Sequence, residues 1–159
     1  MEITNFQIIN CDILEVDASY IAHQCNATSN RSFGLSSAIF KKYPRANIYS
    51  GKYKEVDREL GSIIVRENII NMIAQTNPGK PKGDDSKENR LTAFEKCLAK
   101  IGEKISLAES TEKGEENFSV AFPYGIGCGL AGGDWSEYLQ RLKDFANLYP
   151  NIDVILCKL

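Results

Sequence analysis

The sequence predicts an α/β domain in which a mixed six-stranded sheet carries helices on both faces. Three observations support this. Six short β-prone apolar runs are spread along the chain. Three stretches with helical apolar spacing lie among them. Two of the runs end in polar or glycine-rich clusters that lead directly into a helix, the arrangement from which strand–helix units are built.

Taken in order, Phe6 to Asn10 is the first strand, closed by Cys11-Asp12. Ser19 to Cys25 is the second and runs into the polar loop Asn26-Ala27-Thr28-Ser29-Asn30. A helix from about Gly34 to Tyr43 carries Leu35, Ile39 and Phe40, and Pro44 ends it. Residues 45–60 are polar and mixed, a loop with a short helix. Ser62 to Val65 and Ile69 to Ala74 are two further strands joined tightly around Glu67-Asn68. Asn77 to Ser86 has the composition of a flexible loop. Leu91, Phe94, Leu98, Ile101, Ile105 and Ala108 recur at steps of three and four, one apolar stripe of a helix that packs on the sheet. Glu109 to Asn117 is a charged loop, and Phe118 to Phe122 the fifth strand. The last helix starts at Asp134, with Trp135, Tyr138, Leu139, Leu142, Phe145, Ala146 and Tyr149 on one face. Asp153 to Cys157 closes the sheet.

A chain of 159 residues with 43% hydrophobic and 25% charged composition is read as one domain, 1–159. A net charge of −2 with scattered Lys and Arg argues against electrostatically driven binding to nucleic acid or membrane. A small anionic ligand held by backbone groups needs no basic patch. The five cysteines are odd in number and none are at CxxC spacing, so neither a zinc site nor a disulfide framework is expected. No apolar run approaches membrane-spanning length, and the N-terminal MEITNFQIINCDILEV is too polar for a signal peptide. The expectation is a reduced cytoplasmic protein, with the nucleus left open.

Pro123 to Trp135 is the most informative stretch, with five glycines between an apolar run and an amphipathic helix. Glycine lets backbone N–H groups turn toward a ligand, and a helix N-terminus adds unpaired donors. In open α/β sheets ligands sit beyond the carboxyl ends of the strands. Three clusters fall there: Asp12, His23 to Gly34, and Gly125 to Asp134. The last two lead into helices, so two helix N-termini are expected to face one polyanion, and a diphosphate suits them.

These residues resemble the macrodomain family across nearly the whole chain, from Phe6 to Leu159. The likeness lies in Asp12-Ile13 after the first strand, Asn26 closing the second, the glycine-bearing loop that opens a helix, and the late Gly127-Cys128-Gly129-Leu130 segment. His23-Gln24-Cys25-Asn26 and the late segment look most like the branch with ADP-ribose 1″-phosphate phosphatases and the terminal ADP-ribose protein glycohydrolase. The resemblance implies a three-layer α/β/α fold with ADP-ribose in a cleft over the sheet. It implies Asp12 as acceptor for the adenine amine, Ile13 as a backbone contact, and Gly127, Cys128, Gly129, Leu130 and Ala131 around the diphosphate. Asn26, Cys25 and the loop to Gly34 would meet the distal ribose, with Gln75 at the same end. Cys11 stands where the family usually has glycine. Ala131 stands where the glycohydrolase has its catalytic aspartate, and no lysine matches near Met72 to Gln75, which argues against a lysine nucleophile.

Several of these residues also have plainer readings. His23, the sole histidine, suits general acid–base work at neutral pH, or is a buried core residue. Asp134, with Glu137 three residues on, fits a helix cap as well as a water-orienting acid. Asp12 and Asn26 also suit turns, and Cys25 and Cys128 suit buried thiols. Gly51-Lys52 and Pro78-Gly79-Lys80 lack P-loop spacing, and Lys80, Lys82 and Lys87 read as loop charges.

The reading favoured from sequence is a monomeric enzyme that binds ADP-ribose derivatives and hydrolyses ADP-ribose 1″-phosphate. His23 would move the proton and Asn26 or Asp134 would place the water, with no metal or organic cofactor. The alternatives are a non-catalytic ADP-ribose reader, or a hydrolase acting on ADP-ribosylated protein or nucleic acid.

Overall fold

A computed structural model describes residues 3–111 and 117–159. Six strands form one sheet in the order β1-β6-β5-β2-β4-β3: β1 Phe6–Asn10, β2 Tyr20–Asn26, β3 Ile63–Arg66, β4 Ile69–Gln75, β5 Phe118–Pro123 and β6 Ile152–Lys158. All neighbours are parallel except the edge pair β3–β4, whose antiparallel ladder turns over at Glu67 and Asn68. The helices are α1 Gly34–Lys42, α2 Lys87–Thr111 and α3 Trp135–Leu148. Among the described residues no helix is long and apolar enough to cross a membrane.

The sheet is sandwiched because its central strands are apolar on both faces. All seven residues of β4 are buried, as expected for a strand covered on both sides. Ala22, Ile70, Met72, Val120, Phe122 and Leu156 pack against α2 and α3 through Phe94, Leu98, Ile101, Leu142 and Phe145. On the other face Ile21, Ile69, Ile73, Ala121 and Ile155 pack against Ile39 and Phe40 of α1 and against Ala46, Ile48 and Tyr49. The result is three layers, α/β/α.

Three expectations are corrected. The charged loop does not start at Glu109, because α2 continues to Thr111; the rest of that loop, 112–116, lies outside the described residues. The polar stretch 45–60, read as a loop with one short helix, has more structure than that. It holds two single-turn 3-10 helices, Pro44–Ala46 and Gly51–Tyr53, and buries Ala46, Ile48, Tyr49 and Arg58. The 77–86 segment, read as flexible, is tied down by a buried ion pair between Asp85 and Arg90, whose closest N···O distance is 2.6 Å.

The topology places a crevice. The β2–β5 ladder pairs Tyr20 with Val120 and Ile21 with Ala121 and goes no further. The chain leaving β2 enters α1 on one face, and the chain leaving β5 enters α3 on the other. Connections diverging to opposite faces open a gap beyond the strand ends, the usual ligand position in such sheets.

Candidate ligand-binding cavity

A cavity of about 490 Å³ fills this gap. Its walls come from the end of β2 (His23 to Asn26), the loop and first turn of α1 (Arg31, Phe33, Leu35, Ser36), Gln75 with Pro78-Gly79, and the whole of Pro123 to Ala131. Among the described residues Arg31 is the one lining side chain charged at neutral pH, and no carboxylate lines the cavity.

The glycine segment folds as successive tight turns. Ile126 N–H donates to Pro123 O at 3.0 Å, Cys128 N–H to Gly125 O at 3.0 Å, and Gly132 N–H to Gly129 O at 3.1 Å. Gly133 N–H donates to Gly127 O at 3.0 Å. Among the described residues, the N–H groups of Gly127, Gly129, Leu130 and Ala131 enter none of these turn bonds. With the N–H of Gly125 they are spare donors of the cavity wall, whereas the Cys128 N–H, expected to face a diphosphate, is spent inside the turn. Gly127 is glycine for a packing reason. Its φ is +80°, and a Cβ there would lie 2.5 Å from the Tyr138 ring.

Asn26 is aimed into the cavity by a bulge. The β2–β4 register slips between Cys25 and Asn26, a device that re-aims a side chain at a strand end. Its Oδ1 accepts from Ser29 N–H at 2.7 Å and Thr28 N–H at 3.2 Å, closing the loop, and its backbone N–H donates to Tyr49 Oη at 2.8 Å. The amide nitrogen Nδ2 is the half left for a ligand. Beneath this loop Arg58, itself buried, donates to Ala27 O, Ser29 O and Ile48 O and lies over the Tyr49 ring.

His23 is 1% exposed. Asn71 Nδ2 donates to Ala46 O and Ile64 O, so its Oδ1 faces His23 Nε2, at 2.6 Å, as an acceptor. This assigns the ring proton to Nε2, and Nδ1, 2.9 Å from Ser36 Oγ, accepts the serine hydroxyl. Burial pushes the imidazole down to about 4, against a smaller upward pull from Asn71, so it is neutral at pH 7 with both nitrogens engaged. Cys25 Sγ lies 3.6 Å from His23 Nε2, but burial holds the thiol far above its ordinary range. Burial, with the Asp134 charge adding to it and Lys87 opposing, raises the Cys128 thiol to about 11. Neither cysteine is poised as a nucleophile.

Gln24 joins the ends of β2 and β4. Gln75 Nε2 donates to Asn77 O at 2.9 Å, so Gln75 Oε1 accepts from Gln24 Nε2 at 2.7 Å, and Gln24 Oε1 is left buried without a partner. Tyr124 forms the opposite wall, with Trp135 at 4.8 Å between ring centroids and Lys158 Nζ 4.7 Å from its own.

Four expected residues do not line the cavity. Asp12 is exposed at the end of β1, two strands from β5, and its Oδ1 accepts from Leu14 N–H at 2.9 Å. Ile13 is buried in the core on the α1 side. Gly34 is exposed and starts α1 at φ +56°. Asp134 is the N-cap of α3, accepting from Ser136 N–H at 3.1 Å and Ser136 Oγ at 2.9 Å. This also corrects the pairing of two helix N-termini. The α1 start, at Phe33, has no side-chain cap and contributes Leu35 and Ser36 to the cavity, while the α3 start is closed by its own carboxylate. Among the described residues no group of three or more His, Cys, Asp or Glu side chains could hold a metal.

Sequence reasoning placed Gln24, Arg31, Phe33 and Tyr124 inside segments expected at the site without giving any of them a role, and it missed Tyr49, Arg58 and Arg90. Two left a signal. Arg90 lies four residues before Phe94, on the buried stripe of α2, and Ile48-Tyr49 is an apolar pair inside a polar stretch.

No protein-family model and no curated protein sequence matches the chain. Solved structures do. A protein of unknown function from Bacteroides thetaiotaomicron is 25% identical with a TM-score of 0.68, over 97% of this chain and 98% of that one. The macrodomain of Mycobacterium tuberculosis DarG is 20% identical with a TM-score of 0.74, over 96% of each chain. A Trypanosoma brucei macrodomain solved with ADP-ribose is 13% identical with a TM-score of 0.59, over 97% of this chain and 63% of that one.

Proposed function

We propose that this chain, which has the macrodomain fold, binds ADP-ribose or a derivative of it in the cavity between β2 and β5. The observation that carries the reading is the run of spare N–H groups at Gly127, Gly129, Leu130 and Ala131 along a wall free of carboxylates. Backbone donors left unspent along a cavity wall suit a diphosphate and need no lysine cluster. Arg31 and the uncapped α1 start add positive potential. Asn26 Nδ2 faces the distal ribose. Tyr124 offers a flat surface to the adenine, with Asp12 Oδ2 and the Ile13 backbone at the strand edge beyond it. The Trypanosoma structure with ADP-ribose supports this choice of ligand.

Binding without turnover is the form the geometry favours. Hydrolysis of ADP-ribose 1″-phosphate needs a proton carrier and a held water. His23 is neutral and engaged at both nitrogens, and Asp134 caps a helix outside the cavity wall. Calorimetric titration with ADP-ribose, beside assays for phosphate release from ADP-ribose 1″-phosphate and for ADP-ribose release from modified protein or nucleic acid, tests both parts. Saturable binding with no turnover is expected. Release of phosphate would restore the phosphatase reading, and absence of binding would remove the ADP-ribose reading altogether.

A further inference from the structure

Arg90 stands in the first turn of α2 and is 1% exposed. Its Nε donates to Asp85 Oδ1 at 2.9 Å and its Nη2 to Asp85 Oδ2 at 2.6 Å, a two-point grip. Nη1 donates to Gly79 O at 2.7 Å and to Ala131 O at 2.9 Å. Nη2 also reaches Asn77 O at 3.1 Å and Lys80 O at 3.4 Å. Asp85 accepts in turn from the Thr76 and Asn77 N–H groups. A single buried ion pair therefore closes the 76–85 loop on itself and joins it to the glycine segment. Pro78, Gly79 and Ala131 line the cavity from the two sides of that junction.

The bond to Ala131 O acts on the ligand face. The same peptide unit is held at its other end, where Gly132 N–H donates to Gly129 O. Fixing this plane fixes the 129–132 turn, whose central N–H groups are those of Leu130 and Ala131. The loops also touch: a Cβ on Gly132 would lie 3.1 Å from Pro81 Cδ.

We propose that Arg90 is the positioning residue of this cavity: it makes the glycine segment and the 76–85 loop one rigid rim, and the 129–132 turn presents its donors to an anionic ligand only while Arg90 grips the Ala131 carbonyl. The inference rests on the ADP-ribose reading. Lysine cannot replace the residue, because a single ammonium cannot span a carboxylate and carbonyls on two loops at once.

The test uses the full chain as wild type, Arg90→Lys and Ile105→Ala. Ile105 is buried on the same helix, about 22 Å along its axis, and controls for lost stability. Each protein is titrated with ADP-ribose where circular dichroism shows it folded. Arg90→Lys is expected to bind at least about tenfold more weakly, with amide exchange at Asn77, Asp85 and Gly132 faster and exchange in β4 and β6 unchanged, while Ile105→Ala binds as wild type does. Binding by folded Arg90→Lys within about twofold of wild type, or parallel losses in both variants, overturns the proposal. If Arg90→Lys does not fold, wild-type exchange decides. Protection at Asn77, Asp85 and Gly132 within about tenfold of one another supports one rigid rim, and Gly132 exchanging about a hundredfold faster than Asn77 overturns it. A wild type that fails to bind ADP-ribose removes the functional reading, while exchange still decides the rigid rim.

Discussion

His23 Nε2 lies 2.6 Å from Asn71 Oδ1, where the two residues stand opposite each other in register on β2 and β4. The pair joins neighbouring strands below the cavity, and the Phe40 ring meets the imidazole edge-on at 5.3 Å. A side chain so placed stabilises the sheet, and it does so only in its neutral form.

Acid should therefore unfold this protein through His23. The folded imidazole is held at about 4 by burial, below its ordinary 6.5, so between those values the unfolded chain takes up a proton that the folded chain refuses. Stability from this group is complete above pH 6.5 and falls as the pH drops toward 4, by about 3 kcal/mol in all. Urea midpoints of wild type and His23→Gln across that window check it. The acid-side slope is expected to be shallower in the variant, and identical slopes would remove this account.

Two glycines of the 123–135 segment should respond very differently to a methyl group. Gly127→Ala combines a φ of +80° with a Cβ 2.5 Å from the Tyr138 ring, so a loss of about 2–4 kcal/mol is expected. Gly129→Ala meets nothing within 4 Å and should change stability by less than about 0.5 kcal/mol. Thermal unfolding of both distinguishes packing from ligand access as the reason for each glycine.

Tyr49→Phe removes the acceptor of the Asn26 N–H. An orphaned buried donor costs about 1–3 kcal/mol. The loop from Asn26 to Phe33 should loosen, with faster limited proteolysis at Arg31 and weaker ADP-ribose binding. A variant cleaved at the wild-type rate would show that Arg58 holds the loop alone.

Asp134→Ala should cost about 1 kcal/mol through the lost cap and leave ADP-ribose affinity unchanged. Asp134→Asn, which still caps, should match wild type in stability. A large fall in affinity with Asp134→Asn would return this residue to the site.

Cys128 should alkylate slowly at neutral pH. With its thiol raised to about 11, thiolate is scarce at pH 7.5, and the rate should climb with pH toward that value. Iodoacetamide labelling followed by peptide mass analysis reads it, and bound ADP-ribose should protect the residue.

How far the site was legible depended on what kind of signal each residue carried. Asn26 and the glycine segment were visible because strand ends and glycine clusters are local patterns, and Gln75 entered through the family resemblance. Arg31 and Phe33 lay inside the loop expected at the site but could not be singled out, since nothing nearby marks a loop side chain as facing a cavity rather than solvent. His23 was found for its chemistry, but its neutrality depends on Asn71 and Ser36, residues 48 and 13 positions away.

The sequence by itself determined the strands, the helices, the mixed sheet and the edge at which a ligand would sit, because apolar periodicity and punctuation by glycine and proline act over a few residues. The tertiary structure decided which donors are spent and which are spare. Cys128 N–H turns inward while Leu130 and Ala131 N–H do not, Asp134 closes a helix outside the cavity wall, and Arg90 braces a loop whose composition predicts flexibility. Each of these outcomes is a hydrogen bond or a burial between groups that only the fold brings together. Local composition cannot encode them, because the same side chain acts as base, cap or brace according to what surrounds it.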